Sequence, residues 1–166
     1  MALSARRPKN PKSCHERALG LLAVRPRSRR ELERRLLGAG FEPEEVAGVL
    51  VRLEGVGLID DAAFAHQFAE HEIGVRRSGS RAVAASLRAK GISQETVERA
   101  LAEATGDDHE QERALELARS RVSRLRGVEP TRAFGRLRDL LARRGYPPSV
   151  ARNSARRALG LDAADE

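Results

Sequence analysis

The residues whose types suit catalysis or metal binding are few, and each sits where another role fits better. Asp60 and Asp61 are adjacent carboxylates, a pair that metal or acid–base chemistry can use. They follow the apolar Leu58-Ile59 and precede Ala62-Ala63-Phe64, a setting in which carboxylates accept the free N–H groups at a helix start. Both are therefore read as caps of the helix that follows. His66 and His71 are five residues apart, so they do not share a helical face as an i, i+4 pair would. The run His66-Gln67-Phe68-Ala69-Glu70-His71 fits neither HExxH nor HxxEH, and no metal site is expected there. His15 and His109 stand near helix starts without clustered partners. Cys14 is the only cysteine, which excludes an intrachain disulfide and suits a reducing cytosol; it is read as a tolerated free thiol. The sequence has no GxxxxGK loop, no GxSxG elbow and no GxGxxG after a strand. No enzymatic activity, cofactor or metal is expected.

The abundant chemical group is the guanidinium. Lys and Arg total 31 against 24 Asp and Glu, a net charge of +7, and only Lys9, Lys12 and Lys90 are lysines. That sign favours an acidic partner: nucleic acid, a nucleoprotein filament or an anionic membrane face. Arginine pairs in bidentate fashion with phosphate or carboxylate, although Arg-rich codon usage produces the same ratio. Placement says more than the total. Residues 6–30 carry nine basic side chains against Glu16, whereas residues 31–72 carry ten acids against Arg34, Arg35 and Arg52. Residues 76–90 hold Arg76, Arg77, Arg81, Arg88 and Lys90 with no acid, and residues 113–157 hold thirteen arginines against Glu116, Glu129 and Asp139. Basic blocks on a helical protein are often only a solvated surface. Their recurrence favours a partner-binding track, with Arg76, Arg77, Arg81, Arg88, Lys90, Arg132, Arg136, Arg138, Arg143 and Arg144 as its candidate residues. Arg76, Arg77 and Arg81 precede or open a helix whose buried side is set by Val83 and Leu87, so they are read as free of the core.

Helices must position these side chains. Val46, Val49, Leu50 and Leu53 fall at i, i+3, i+4 and i+7, as do Val97, Ala100, Leu101 and Ala104, while no segment sustains strand alternation. Aromatic residues make up only 3% of the 166 residues, so the core must be Leu, Val and Ala in thin helical layers. An internal repeat organises the layers. Gly40, Gly91 and Gly145 are spaced by 51 and 54 residues. Eight before each stand Leu32, Val83 and Leu137; four before, Leu36, Leu87 and Leu141; directly after, Phe41, Ile92 and Tyr146. The next stripe opens at Val46, at Val97 and at Val150 or Ala151. Each unit reads as helix, glycine stop, apolar staple, helix. Upstream helices over Ala18–Leu22, Phe64–Ile73 and Ala114–Leu125 complete three three-helix units at 14–59, 60–106 and 107–160. Asp107 and Asp108 are expected to cap the third unit. Residues 1–13 read as a disordered basic arm and 161–166 as a C-terminal tail. The fold expected is all-α, with three tandem units stacked into an elongated, curved molecule. Without a membrane-spanning run or a signal peptide, a cytoplasmic protein is expected.

The run Gly57-Leu58-Ile59-Asp60-Asp61-Ala62-Ala63-Phe64-Ala65, continuing through Phe68 to Arg76-Arg77-Ser78-Gly79-Ser80-Arg81 and on to Leu87 and Lys90-Gly91-Ile92, resembles the central region of the RecX family. Ser28-Arg29-Arg30-Glu31-Leu32 through Leu36, Leu37 and Gly40-Phe41 agrees as well, and the resemblance covers about residues 14–159, loosest in the third unit. It implies a regulator without a cofactor that lodges in the groove of the RecA–single-stranded DNA filament and opposes RecA recombinase, with single-stranded or duplex DNA as a further contact. No membrane partner and a monomeric state are expected. The competing expectation is a helix-turn-helix DNA-binding protein that acts without RecA.

Overall fold

The computed structural model describes residues 12–105 and 109–161. The Asp107-Asp108 cap and most of the expected basic arm and C-terminal tail lie outside them. Among the described residues there are nine α-helices and no strand: α1 (Cys14–Val24), α2 (Arg29–Gly38), α3 (Pro43–Gly55), α4 (Asp61–Gly74), α5 (Ser80–Ala89), α6 (Gln94–Thr105), α7 (His109–Val122), α8 (Pro130–Arg143) and α9 (Pro148–Leu159). A short 3-10 turn, Ser123–Leu125, tightens the end of α7, so the expected stripe through Leu125 finishes outside the α-helix. No described helix is long and apolar enough to cross a membrane.

Helix starts are set by side chains that accept orphan N–H groups. Ser13 and Glu16 form a reciprocal capping box on α1, with the Glu16 N–H donating to Ser13 Oγ at 3.2 Å and the Ser13 N–H to the Glu16 carboxylate at 2.8 Å. Pro43 and Pro148 occupy the first turns of α3 and α9. Asp60 accepts from the N–H groups of Ala62 and Ala63, each at 2.9 Å, and so caps α4.

The stops repeat three times in one geometry. Gly40, Gly91 and Gly145 have φ of 92°, 82° and 85°, the left-handed region that glycine enters without a Cβ clash. Beyond them the N–H groups of Phe41, Ile92 and Tyr146 donate back to the carbonyls of Leu36, Leu87 and Leu141 at 3.4, 3.1 and 3.1 Å. This return bond closes the last turn and drives the apolar residue into the core.

Each set of three helices encloses its own core. In α1–α3 it centres on Leu32, Leu36, Val46, Leu50 and Leu53, and in α4–α6 on Phe64, Val83, Leu87, Ile92 and Val97. In α7–α9 it uses Ala114, Ala118, Leu141, Tyr146 and Ala151; Ala151 is the fully buried member of the Val150–Ala151 pair, and Val150 packs at the edge.

The units join by one arrangement used twice. At the first joint Ser28, the N-cap of α2, donates its hydroxyl to the carbonyl of Lys90, the C-cap of α5, at 2.6 Å. At the second, Gly79, the N-cap of α5, donates its N–H to the carbonyl of Arg144, the C-cap of α8, at 2.8 Å. The middle helices thus meet end to start, with the negative pole of one dipole against the positive pole of the next. A carboxylate from the following unit satisfies the next N–H at each joint: Asp61 accepts from Arg29 at 2.8 Å and Glu110 from Ser80 at 2.7 Å. Asp61 therefore caps α2 across the joint, correcting the expectation that both aspartates cap α4. Asp60 has the extended backbone (φ −144°, ψ 100°) that folds a side chain over its own first turn, whereas Asp61 is already helical. The series ends at α8, whose start is closed by its own Glu129, accepting from Thr131 at 2.9 Å and Arg132 at 3.0 Å. The three units are joined in sequence, the first to the second and the second to the third, in an all-α repeat fold. Among the described residues, the hydrogen bonds between units run from the first to the second and from the second to the third.

Candidate functional site

The second joint is the more heavily bonded of the two, and it shapes a groove. Besides the Gly79–Arg144 bond, the Arg81 N–H donates to the Gly145 carbonyl at 3.0 Å and the Ser80 hydroxyl to Glu110 at 3.1 Å. From α8 and its turn, the Tyr146 hydroxyl donates to the Arg77 carbonyl at 3.0 Å and Arg144 Nη1 to the Arg76 carbonyl at 2.9 Å. Burial pushes the Tyr146 phenol above its ordinary pKa, so it stays protonated and a donor. Backbones approach so closely that a Cβ on Gly79 would lie 2.3 Å from the carbonyl carbon of Gly145. Gly79 has an ordinary φ of −77°, so close approach rather than conformation requires glycine there.

Beside this contact opens a groove of about 610 Å³ between α5 and the end of α8. Its walls include Ala82, Ala84, Ala85, Leu101, Ala142 and Tyr146, with Arg81, Arg88 and Arg143 supplying its cationic groups. Arg88 donates to the Gln94 side-chain oxygen at 3.1 Å. The guanidinium groups of Arg81 and Arg143 make no ion pair with a described residue. On α8, Arg132, Arg136 and Arg143 fall at i, i+4 and i+11, one face of the helix, and all three are exposed. A basic line therefore runs down α8 and, through Arg143, into the groove that Arg81 and Arg88 share.

The other five candidates lie elsewhere. Arg138, six residues after Arg132, is turned off that face and pairs with Asp139 at 2.8 Å. Arg76 pairs with Glu72 at 3.2 Å and Arg77 with Glu116 at 3.7 Å. Arg77 is also the one non-glycine described residue with positive φ, 53°, and its carbonyl is held by Tyr146. The Arg76 and Arg77 side chains are exposed, outside the core, while their backbone carbonyls accept the bonds by which the third unit grips the second. Arg144 is spent on the same grip. Lys90 belongs to the first joint, where its ammonium lies 5.4 Å from the centre of the Phe68 ring and borders a smaller cleft with Glu31, Arg34 and Arg35. That cleft, of about 380 Å³, brings in Arg34 and Arg35, which the charge blocks had placed in an acidic stretch.

The thiol, carboxylate and imidazole groups of the first two units lie apart from the groove. Cys14 is fully buried in the first core, and burial followed by the charge of Glu45 pushes its thiol pKa up, away from a reactive thiolate. Glu31 is buried against Arg27 and Arg25; Arg27 also donates to the Leu21 carbonyl at 3.1 Å. His66 faces Glu70 at 3.5 Å and Glu103 at 3.7 Å. Among the described residues no group of three or more His, Cys, Asp or Glu is arranged to hold a metal ion.

Residues 14–53 match the family described as RecX, first three-helix domain, and residues 60–101 that described as RecX, second three-helix domain. A regulatory protein RecX from Mycobacterium sp. (strain KMS) is 38% identical over 148 residues, covering 87% of this chain and 80% of that protein. The chain belongs to the RecX family. A RecX regulatory protein from Mycolicibacterium smegmatis (strain ATCC 700084 / mc(2)155) is 40% identical over 153 residues, with 86% and 79% coverage. The crystal structure of RecX from Lactobacillus salivarius superposes with a TM-score of 0.79 over 89% of this chain and 95% of that one; at 19% identity it speaks for the fold alone. The two RecX domain matches end at residue 101, so the RecX character of α7–α9, where the basic line begins, is carried by the whole-chain relatives.

Proposed function

We propose that this RecX-family chain binds the filament that RecA forms on single-stranded DNA and inhibits RecA recombinase activity in DNA recombination and repair. The observation that carries the reading is the basic line of Arg132, Arg136 and Arg143 on α8, continued at the joint by Arg81 and Arg88. A row of stacked units bearing such a line suits a long helical groove. A nucleoprotein filament offers phosphates and carboxylates along it, and guanidinium groups recognise both. Lodged there, the chain would obstruct subunit addition and strand entry by occupancy alone. The action needs no catalytic step or cofactor, and a cytoplasmic protein without ATPase or nuclease activity is expected. The test compares affinity for RecA-coated single-stranded DNA with that for bare DNA and for RecA alone. Tighter binding to the coated strand supports the proposal, and equal binding to bare DNA contradicts it.

The second reading, DNA binding without RecA, has one observation in its favour. Helix α9 carries Arg152, Asn153, Arg156 and Arg157 without an acid. In a helix-turn-helix unit the helix after the turn enters the major groove. The corresponding α3 opens with Glu44 and Glu45 and α6 with Glu95, charges that oppose phosphate. Groove reading is thus limited to one unit of three, which favours the filament.

A further inference from the structure

We propose that the groove at the second joint seats a short acidic peptide segment of a protein partner, with an aliphatic side chain held between its carboxylates, and is not a track for phosphate. The inference rests on the filament reading above and names which chemistry of the filament meets this groove.

The floor argues first. Ala84, Ala85, Ala142 and Leu101 give the groove an apolar lining, and Ala85 and Ala142 are exposed. An aliphatic side chain gains by covering such a surface, whereas phosphate oxygens gain nothing from it. The aromatic content argues next. Sites that follow single-stranded nucleic acid combine positive charge with aromatic rings on which bases stack. The only aromatic residue in this lining, Tyr146, is 1% exposed, with its ring in the core and its hydroxyl committed to Arg77.

The cations complete the case. Arg81 and Arg88 are seven residues apart on α5, one face of the helix, and Arg143 approaches from α8. Planar guanidinium groups that line one groove with alanine and leucine side chains match carboxylates alternating with an aliphatic residue, each carboxylate taking two parallel N–H bonds. The volume of about 610 Å³ is that of a site for a few side chains, within the usual ~300–1,000 Å³ of ligand pockets.

The test uses the full chain and a short fluorescein-labelled peptide of alternating glutamate and leucine, with a glutamine–leucine peptide and a labelled oligothymidylate as comparisons. The glutamate peptide should bind and the glutamine peptide should not. Arg81→Ala with Arg143→Ala should weaken the glutamate peptide by about tenfold or more, the scale of losing charge-assisted hydrogen bonds. Ala85→Trp, which fills the groove at an exposed lining position without altering charge, should weaken it comparably and should not weaken oligothymidylate binding. Melting temperatures of the variants check that each remains folded. Equal binding of the two peptides, or peptide binding indifferent to Ala85→Trp, overturns the proposal. Oligothymidylate that displaces the peptide and is itself lost in Ala85→Trp overturns it in favour of a phosphate seat. The assay contains no RecA, so filament binding that persists while the peptide fails contradicts this inference alone, and a filament that fails while the peptide binds contradicts the proposed function alone.

Discussion

A β-carbon on Gly145 would stand 2.2 Å from the Cβ of Ala82 and 2.6 Å from its backbone nitrogen. Both atoms are fixed to α5, so no rotamer relieves the overlap. The same residue holds φ at 85°. Gly145→Ala therefore combines backbone strain with overpacking and should cost about 3 kcal/mol or more in urea unfolding. Gly160, at φ 69° with nothing within 4 Å of its added Cβ, isolates the strain, and Gly160→Ala should cost about 1 kcal/mol. Equal costs would mean that the second joint is not packed as described.

Tyr146 and Arg77 give a finer test of that joint. Tyr146→Phe keeps the ring in the core and removes only the hydroxyl that donates to the Arg77 carbonyl. A loss of about 1 kcal/mol is expected, the net worth of one hydrogen bond. Charge reversal at Arg76 and Arg77 would set new carboxylates beside Glu72 and Glu116, so a lower melting temperature is expected there as well. An unchanged melting temperature in both variants would show that the Tyr146 hydroxyl and the Arg76 and Arg77 side chains add nothing to the hold on the third unit.

Two carboxylates should respond to pH with opposite sign. Burial raises the Asp61 carboxyl above the ordinary aspartate range, more than the bond from the Arg29 N–H lowers it. The folded chain thus holds this proton more tightly than the unfolded chain does. Its contribution to stability is full below the ordinary aspartate pKa and is lost as pH rises through the raised value. For Glu31, burial pushes upward, but hydrogen bonds and charge from Arg25 and Arg27 outweigh it and hold the carboxyl below the ordinary range. That contribution is full above the ordinary glutamate pKa and is lost as pH falls through the depressed value. Melting temperature followed against pH should show the parent gaining on Asp61→Asn as pH falls through the mildly acidic range. Its advantage over Glu31→Gln should shrink at more acidic pH. Parallel curves for parent and both variants would contradict these assignments.

The sequence made the helices, their glycine stops and the three cores legible because each depends on local spacing. An apolar stripe, a glycine at C′ and an apolar staple recur at aligned positions, and Leu36, Leu87 and Leu141 accept the return bonds those positions call for. The joints were not legible. Asp61 and Asp60 are neighbours of one type, and only the backbone of each decides whether the carboxylate caps its own helix or α2. Gly79 left a trace, a glycine at an N-cap of ordinary φ where a serine or aspartate would cap better, but the trace does not say what approaches. Composition likewise grouped ten basic residues without separating Arg81 and Arg143, which face the groove, from Arg144 and Arg77, which hold the joint. Charge counts record how many guanidinium groups a segment has, while helix phase and backbone acceptors decide which are free for a partner.

In the function proposed above, the arginines of the second joint carry filament binding. The most direct test is the affinity for RecA-coated single-stranded DNA of two variants with equal charge loss. One replaces Arg81, Arg88 and Arg143 with alanine. The other replaces Arg52, Arg99 and Arg138, exposed arginines outside the groove that bond within their own helices. A loss of about tenfold or more is expected in the first variant and near-parental affinity in the second, both with parental helicity and melting temperature. Equal loss in both variants would reduce the effect to net charge, and parental affinity in the first would remove the groove from the binding surface.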